Sequence, residues 1–356
     1  MNYQEYFKIK LSEIELGNFE SGYWKKEDFC VVDQALAKKA APKQITRSLP
    51  SRFSLAEIDC VFISYDEPNA DRNWADLLTK APWAKRVHGV KGSDAAHKAA
   101  AQLSDTERFI TVDGDNIVNP KFFNIALDFN AKPGLRDKQL SWCGKNYINN
   151  LVYGNGGLKC WTKEYVESMR THEASLGEQA QVDFCWSNRY KQMANLHSVS
   201  YVNASPLQAW RAGFREGVKM TLDYGSKQEL IDAKLQIEGR NFKRLLVWTS
   251  VGSDVENGLW AIYGARLGAY MTNCTDWDWT QVKDFDYLNE LFNEKSSVDL
   301  MKEINSLGDE LSLRFNLPMT FLNPEQSKFF KAAWSNPPRF DSMTAELDVN
   351  WDSMEL

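Results

Sequence analysis

The sequence lacks several features that mark specialised classes of protein. It has no run of about 18 or more apolar residues, so we expect no membrane-spanning helix and no membrane partner. Its first residues, Met1 to Tyr6, do not have the basic-then-apolar order of a secretion signal. The six cysteines lie far apart and form no C-x-x-C pair, which favours reduced thiols over a zinc site or a disulfide framework. We therefore expect a cytoplasmic protein.

An excess of positive charge is also missing. The net charge of −6 over 356 residues argues against a dedicated nucleic-acid-binding protein, but it leaves room for a local basic groove. The charges are distributed unevenly. Residues 205–244 have more basic than acidic side chains, and all charged side chains from Phe340 to the end are acidic. Each stretch is also compatible with an ordinary solvated face.

The order of apolar runs predicts an α/β fold with four regions. Apolar runs at 58–64, 86–90 and 109–112 are typical of buried strands, and helical patterns begin at Trp74 and Asp94 between them. This alternation favours a parallel sheet with right-handed crossovers. The predicted regions are an N-terminal lead-in (1–55), a nucleotide-binding α/β core (56–200), a mainly helical region (201–340) and an acidic tail (341–356).

The triplet Asp113-Gly114-Asp115 is the most informative motif, because it directly follows the third predicted strand. Residues two apart on an extended chain point to the same side, so both carboxylates can face one point in space. Carboxylate oxygens suit hard cations such as Mg²⁺ or Mn²⁺, which usually bring phosphates with them. A simple turn is the alternative for the triplet taken alone.

Two further strand ends support the metal interpretation. The first predicted strand ends at Tyr65-Asp66-Glu67 and the second at Lys91-Gly92. In open α/β sheets ligands bind outside the carboxyl ends of the strands. The three ends are therefore expected to form one nucleotide-compatible site.

The remaining elements are predicted less sharply. Segments 141–146 and 151–159 resemble strands at the sheet edge, residues 163–195 are expected to be mostly helical, and 199–202 is a short strand. A helix follows Ser205. Further helical patterns are found at 227–238, 258–268, 283–306 and 324–334.

The segments Ile63 to Pro68, Val87 to Gly92 and Val112 to Asp115 together resemble the nucleotide-sugar half of GT-A glycosyltransferases. The resemblance covers roughly residues 58–200. It is greatest to family-2-like enzymes of large tailed bacteriophages, and among these to arabinosyltransferases that modify hydroxymethylcytosine in phage DNA. It implies a GT-A (Rossmann-like) domain, a UDP-sugar donor, and Mn²⁺ or Mg²⁺ as cofactor.

The resemblance also implies roles for single residues. Tyr65, Asp66 and Glu67 would line the nucleoside pocket, with a proline-containing turn as the alternative. Lys91 would meet the diphosphate or pair with an acid of the site. Asp94 opens a helix whose N–H groups favour anions. Asp113 and Asp115 would hold the metal, and Gly114 would let the ligand approach the backbone.

Acceptor-side roles are implied further along the chain. Gly156 and Gly157 would present backbone to the sugar or form a hairpin turn. Asp183 is the candidate catalytic base, with Glu178 as competitor, and Val182 departs from the acid pair usual in family 2, which leaves the stereochemistry open. His197 is a candidate third metal ligand or a structural histidine.

A basic stripe is predicted on the helix after Ser205. Arg211, Arg215 and Lys219 are spaced four apart, so they share one helix face. The stripe suits a diphosphate or a DNA backbone, and we assign it to DNA. A surface stripe paired with Glu216 and Asp223 is the alternative.

The expected function is metal-dependent transfer of a pentose or hexose from a UDP-sugar to a hydroxyl, preferably that of 5-hydroxymethylcytosine in double-stranded DNA. In an infected cell the site of action would be the host cytoplasm. A glycan, lipid or protein acceptor is the first alternative. A pyrophosphorylase would need a glycine-rich loop that Tyr65 to Pro68 does not provide. A non-enzymatic DNA-binding or virion protein is the alternative of another class.

Overall fold

The computed structural model describes residues 46–171, 189–222, 225–227, 233, 237 and 239–334. Within this part the protein is a mixed α/β fold built on a seven-stranded mixed sheet in the order β3-β2-β4-β8-β7-β9-β5. The predicted α/β class is therefore confirmed. The acidic tail and most of the N-terminal lead-in lie outside the described residues.

The first half of the sheet is the predicted parallel unit. Its elements are β2 (Asp59–Ser64), α1 (Ala70–Lys80), β3 (Lys85–His88), α2 (Ser93–Leu103) and β4 (Arg108–Asp113). β2 pairs in parallel with both neighbours, and its register places Ile63 beside Asp113 and Ser64 beside His88. The carboxyl ends of all three strands therefore meet at one edge, as the sequence predicted.

The second half of the sheet differs from the prediction. β7 (Gln139–Asn146) and β8 (Val152–Thr162) lie inside the sheet rather than at its edge, with β8 antiparallel to β4 and to β7. β9 (Tyr190–Ser200) runs parallel to β7, and β5 (Asn116–Val118) pairs antiparallel with β9. Six of the eight residues of β7 are buried, which explains its internal position.

The expectation of a mostly helical segment at 163–195 is met where the segment begins and is wrong where it ends. α3 spans only Lys163–Ser168, and the chain is already in strand β9 from Tyr190. Nearer the N-terminus, β1 (Arg52–Ser54) pairs antiparallel with β6 (Ala126–Asp128) in a separate two-stranded sheet.

Helices dominate the described chain after β9. They are α4 (Pro206–Thr221), α5 (Gly239–Trp248), α6 (Gly258–Cys274), α7 (Phe285–Lys295), α8 (Leu300–Phe315) and α9 (Pro324–Ala333). The predicted helix 283–306 is two helices, because the Asp299 side chain accepts a hydrogen bond from Lys302 N and begins α8. The predicted helix 227–238 lies mostly outside the described residues.

Glycines bring α4 and α6 unusually close together. A Cβ on Gly213 or Gly217 of α4 would meet a backbone carbonyl oxygen of α6 at 2.0 or 2.2 Å, and one on Gly264 or Gly268 of α6 would meet α4 in the same way. Buried α4 residues such as Trp210 and Phe214 continue the interface. This contact fixes the direction in which α4 presents its polar face.

Among the helices that the structure describes, we find none that is long and apolar enough to cross a membrane.

Candidate functional site

A cavity of about 840 Å³ opens at the carboxyl ends of the parallel strands, between the sheet and the helices α4 and α7. It brings together most of the residues that the sequence singled out. Those that line it are Tyr65, Asp66, Glu67, Lys91, Asp113, Asp115, Gly157, Arg211, Arg215 and Lys219. These residues come from parts of the sequence as far apart as Tyr65 and Lys219, and the fold brings them to one cavity.

The acidic wall of the cavity is the loop after β4, and hydrogen bonds hold this loop from both sides. Asn73 of α1 donates its side-chain amide to the Gly114 carbonyl at 3.0 Å. The backbone N–H of Tyr201 donates to the Asp115 carbonyl at 2.7 Å. Asn116 donates to Asp115 Oδ1 at 2.6 Å. The carboxylates of this wall are therefore presented by a fixed backbone.

Glu67 adds a third carboxylate to Asp113 and Asp115. Its Oε2 accepts a hydrogen bond from the backbone N–H of Tyr65 at 2.8 Å. It packs so closely against the acidic loop that a Cβ on Gly114 would lie 2.9 Å from Oε2. Gly114 thus serves to admit Glu67, and it does not itself line the cavity.

Crowding of the three carboxylates changes their acidity. Burial, with the charges of Asp113 and Glu67, raises the pKa of Asp115 to about 7. Burial, opposed by hydrogen bonds but reinforced by Asp66 and Asp113, raises the pKa of Glu67. A divalent cation would relieve this repulsion, so the donor set fits Mn²⁺ or Mg²⁺.

The pKa of Asp115 gives a prediction about stability. Because the native carboxyl keeps its proton to about pH 7 and the unfolded one has a pKa near 3.8, metal-free protein loses stability as pH rises through this window. Asp115→Asn removes that loss. In urea unfolding, the stability of the variant relative to the wild type should increase from pH 5 to 7 and reach about 2 kcal/mol above pH 7, less than the full pKa shift would give because solvent screens part of the charge. A stability difference between variant and wild type that stays constant from pH 5 to 7 would contradict the raised pKa of Asp115.

No three His, Cys, Asp or Glu side chains in the described ranges form a ready-made metal cage. Mg²⁺ in nucleotide sites usually keeps one or two carboxylates and completes its shell with phosphates and water. Asp113 and Asp115 can supply that pair of carboxylates. The remaining ligands would then come from the substrate.

Gly157 leaves space beside the Asp113 carboxylate because it has no side chain. It has a φ of +74°, and a Cβ there would lie 2.4 Å from Asn116 Nδ2 and 3.0 Å from Asp113 Oδ2. The hairpin-turn alternative for Gly156 and Gly157 is wrong: both lie in β8, and the β7–β8 connection is at residues 147–151.

The basic wall is the predicted stripe of α4. Arg211 lies 3.6 Å from Asp66 across the cavity. The guanidinium groups of Arg211 and Arg215 each lie 4.7 Å from the ring centre of Phe285, at the start of α7. The predicted single face of the stripe is confirmed, and that face points into the cavity.

Lys91 lies at the mouth of the cavity. Its Nζ is 2.5 Å from Oδ2 of Asp286 on α7, and both side chains are exposed. Of the two predicted roles, the structure realises pairing with an acid of the site. Tyr65 is also exposed at the rim, with 45% of its surface accessible.

Two predicted residues are not brought to the cavity. Asp94 forms an ion pair with Lys98 at 2.5 Å and accepts a hydrogen bond from Thr171 N, so it ties α2 to the chain after α3. The His197 ring is fully buried and packs against Phe122 at 5.5 Å, as expected of a structural histidine. Neither lines the cavity. Asp183, Val182 and Glu178 lie outside the described residues.

The cavity residues that the sequence did not predict include Tyr153, Glu216, Trp248 and Phe285. The sequence alone suggests Glu216 only as an ion-pair partner of a surface stripe. Its place on α4, three residues before Lys219, was the available signal that it would lie beside the stripe. Tyr153 precedes the glycine run, but nothing in the sequence links it to Glu216.

Comparison of the sequence with protein-family models and with curated proteins gives no match.

Proposed function

We propose that the protein is a metal-dependent glycosyltransferase of the GT-A type that uses a UDP-sugar. One observation supports it above all: a single cavity at the carboxyl ends of parallel strands has carboxylates on one wall and guanidinium groups on the other. A nucleoside diphosphate with its cation matches this division of charge. The cation would lie on Asp113 and Asp115, and the phosphates would face Arg211 and Arg215.

The two walls have separate tasks in this proposal. The metal, when bound, supplies charge stabilisation for the leaving nucleoside diphosphate. Arg211 and Arg215 offer planar donors that suit phosphate oxygens. Glu67 and Asp66 lie at the end of β2, where a carboxylate can accept from base N–H or ribose hydroxyls, and Tyr65 offers a ring for stacking.

For the acceptor we propose a hydroxyl, with 5-hydroxymethylcytosine of DNA as the preferred one on the strength of the resemblance to phage enzymes. A base in a duplex must be flipped out to enter such a cavity. The stripe of Arg211, Arg215 and Lys219 lies inside the cavity, so it suits the phosphate of a ligand that enters. A glycan, lipid or protein hydroxyl stays the alternative.

The experiment is mass spectrometry of nucleosides after incubation of the protein with Mn²⁺, a panel of UDP-sugars and DNA containing hydroxymethylcytosine. The expected product is a new nucleoside heavier by one pentose or hexose. Release of UDP without modified DNA would reject the DNA acceptor and keep the donor site. Failure to bind Mn²⁺ with UDP, together with no UDP release from any donor, would reject the transferase and favour a non-enzymatic protein.

A further inference from the structure

Four side chains that line the cavity form a hydrogen-bonded network, and one of them, Lys219, also belongs to the basic stripe. Tyr153 donates its hydroxyl to Glu216 Oε2 and accepts from Trp248 Nε1 at 2.7 Å. Lys219 Nζ lies 2.5 Å from Glu216 Oε1. All four line the cavity, although they come from β8, α4 and α5. We call this set the Tyr153–Glu216 network.

A bulge in β8 brings the network close to the acidic wall. Trp142 of β7 pairs with Leu158, but Gly144, only two residues on, already pairs with Tyr153. The register of β8 against β7 therefore shifts by three residues here, and Tyr153 lies only about 7 Å along the sheet from Leu158. Gly157, beside Leu158, adjoins Asp113. A sugar extending from a metal-bound diphosphate would therefore end near the network.

The other carboxylates of the cavity are committed elsewhere. Asp284 accepts hydrogen bonds from the N–H groups of residues 286 and 287 and so begins α7. Asp286 pairs with Lys91 at the mouth. Asp66 faces Arg211. The remaining three form the acidic wall, where the cation would occupy them. Among the carboxylates of the cavity in the described residues, Glu216 is the one that takes part in none of these contacts and does not belong to the acidic wall.

We propose that Glu216 is the general base for transfer, an inference that rests on the proposed glycosyltransferase function. The acceptor hydroxyl oxygen forms a bond to the anomeric carbon of the donor sugar. The bond from that carbon to the phosphate oxygen breaks, and the nucleoside diphosphate leaves with its electron pair. The hydroxyl proton passes to a carboxylate oxygen of Glu216. A single displacement of this kind inverts the anomeric configuration.

The groups that face Glu216 suit this role. Lys219 on its own helix balances its charge, and Arg244 of α5 lies over the Tyr153 ring at 4.4 Å. Burial and the neighbouring Glu216 charge raise the pKa of Tyr153 well above its usual value, so Tyr153 stays protonated and acts as donor rather than as base. A carboxylate has about four lone-pair sites. The hydrogen bond from Tyr153 and the ion pair with Lys219 therefore leave Glu216 with lone pairs that can accept the proton of the acceptor hydroxyl.

The test is Glu216→Gln, which keeps the shape of the side chain and removes its basicity. UDP release from a panel of UDP-sugars is measured with Mn²⁺, with hydroxymethylcytosine DNA and with water alone as acceptor. We expect kcat to fall at least about 100-fold, as typical for loss of a general base. The Kd of the Mn²⁺–UDP complex, measured by calorimetry, should change less than about twofold if donor binding is intact.

Two further variants separate chemistry from structure. Tyr153→Phe removes the hydroxyl but leaves the carboxylate, so we expect kcat to fall about tenfold or less. Glu310→Gln on α8, whose glutamate pairs with Arg314 at the surface, is the matched control and should behave as wild type.

Several results would overturn the assignment. An unchanged kcat in Glu216→Gln would reject Glu216 as the general base and would leave the proposed glycosyltransferase function standing. Retention of the anomeric configuration in the product would reject a single displacement with this base. A wild-type protein that binds Mn²⁺–UDP but turns over no sugar would also reject the base while leaving the donor site intact. Absence of Mn²⁺–UDP binding would instead remove the proposed function itself.

Discussion

Replacing Asp113 with Asn is expected to abolish measurable binding of the Mn²⁺–UDP complex and to lower sugar transfer by on the order of 10³-fold. The metal is worth several kcal/mol in stabilising the leaving diphosphate, and each 1.4 kcal/mol or so corresponds to a factor of ten in rate. Asp113 ends β4 next to Ile63 of β2, and its Oδ2 faces the open space left by Gly157. Calorimetry of Mn²⁺–UDP binding and a UDP-release assay measure the two effects.

The same substitution should leave the fold intact, which separates loss of the metal from misfolding. Asp113 contributes to raising the pKa values of Glu67 and Asp115, so removing its charge relieves repulsion. We therefore expect Asp113→Asn to melt no lower than the wild type without metal, and Mn²⁺ to raise the wild-type Tm only. Asp276→Asn, at an exposed position on the loop after α6, is the matched control. Wild-type affinity for Mn²⁺–UDP in the Asp113 variant would contradict the metal assignment.

The acidic wall could be predicted from sequence because its causes are local. Each strand of the parallel unit is a short apolar run, and the residues that follow it must reach the same edge once β2 lies between β3 and β4. Asp113, Asp115, Glu67 and Lys91 therefore needed no long-range information. The basic stripe of α4 could also be predicted, because a spacing of four residues places its members on one helix face.

The rest of the site depends on packing between distant segments. The i,i+4 spacing shows that Arg211 and Arg215 share a face but not what that face meets. Lys91 finds its partner Asp286 195 residues along the chain. β9 was misread because it carries an unusual share of polar residues for an internal strand, including the buried His197 and Ser198. Hydrogen bonding in the sheet outweighed the local pattern there.

Gly264→Ala is expected to lower the free energy of unfolding by about 3 kcal/mol, and the Tm by roughly 4 °C. The added methyl would lie 2.2 Å from the Trp210 carbonyl oxygen and 2.9 Å from Phe214 N. Both are backbone atoms of α4, so no side-chain rotation can relieve the clash, and α4 and α6 must move apart. The gain of up to about 1 kcal/mol in helix propensity from glycine to alanine offsets only part of this cost. Thermal and urea unfolding measure it.

The control is Gly239→Ala at the start of α5, where an added Cβ meets nothing within 4 Å, and we expect its stability to be unchanged or slightly higher. Equal stability of the two variants would show that α4 and α6 do not pack as closely as described. Because α4 carries Arg211, Arg215 and Glu216, a shift of this helix by even a fraction of an ångström should also weaken Mn²⁺–UDP binding. Weaker binding in Gly264→Ala at temperatures far below its Tm would therefore connect the glycine interface with the position of the basic wall.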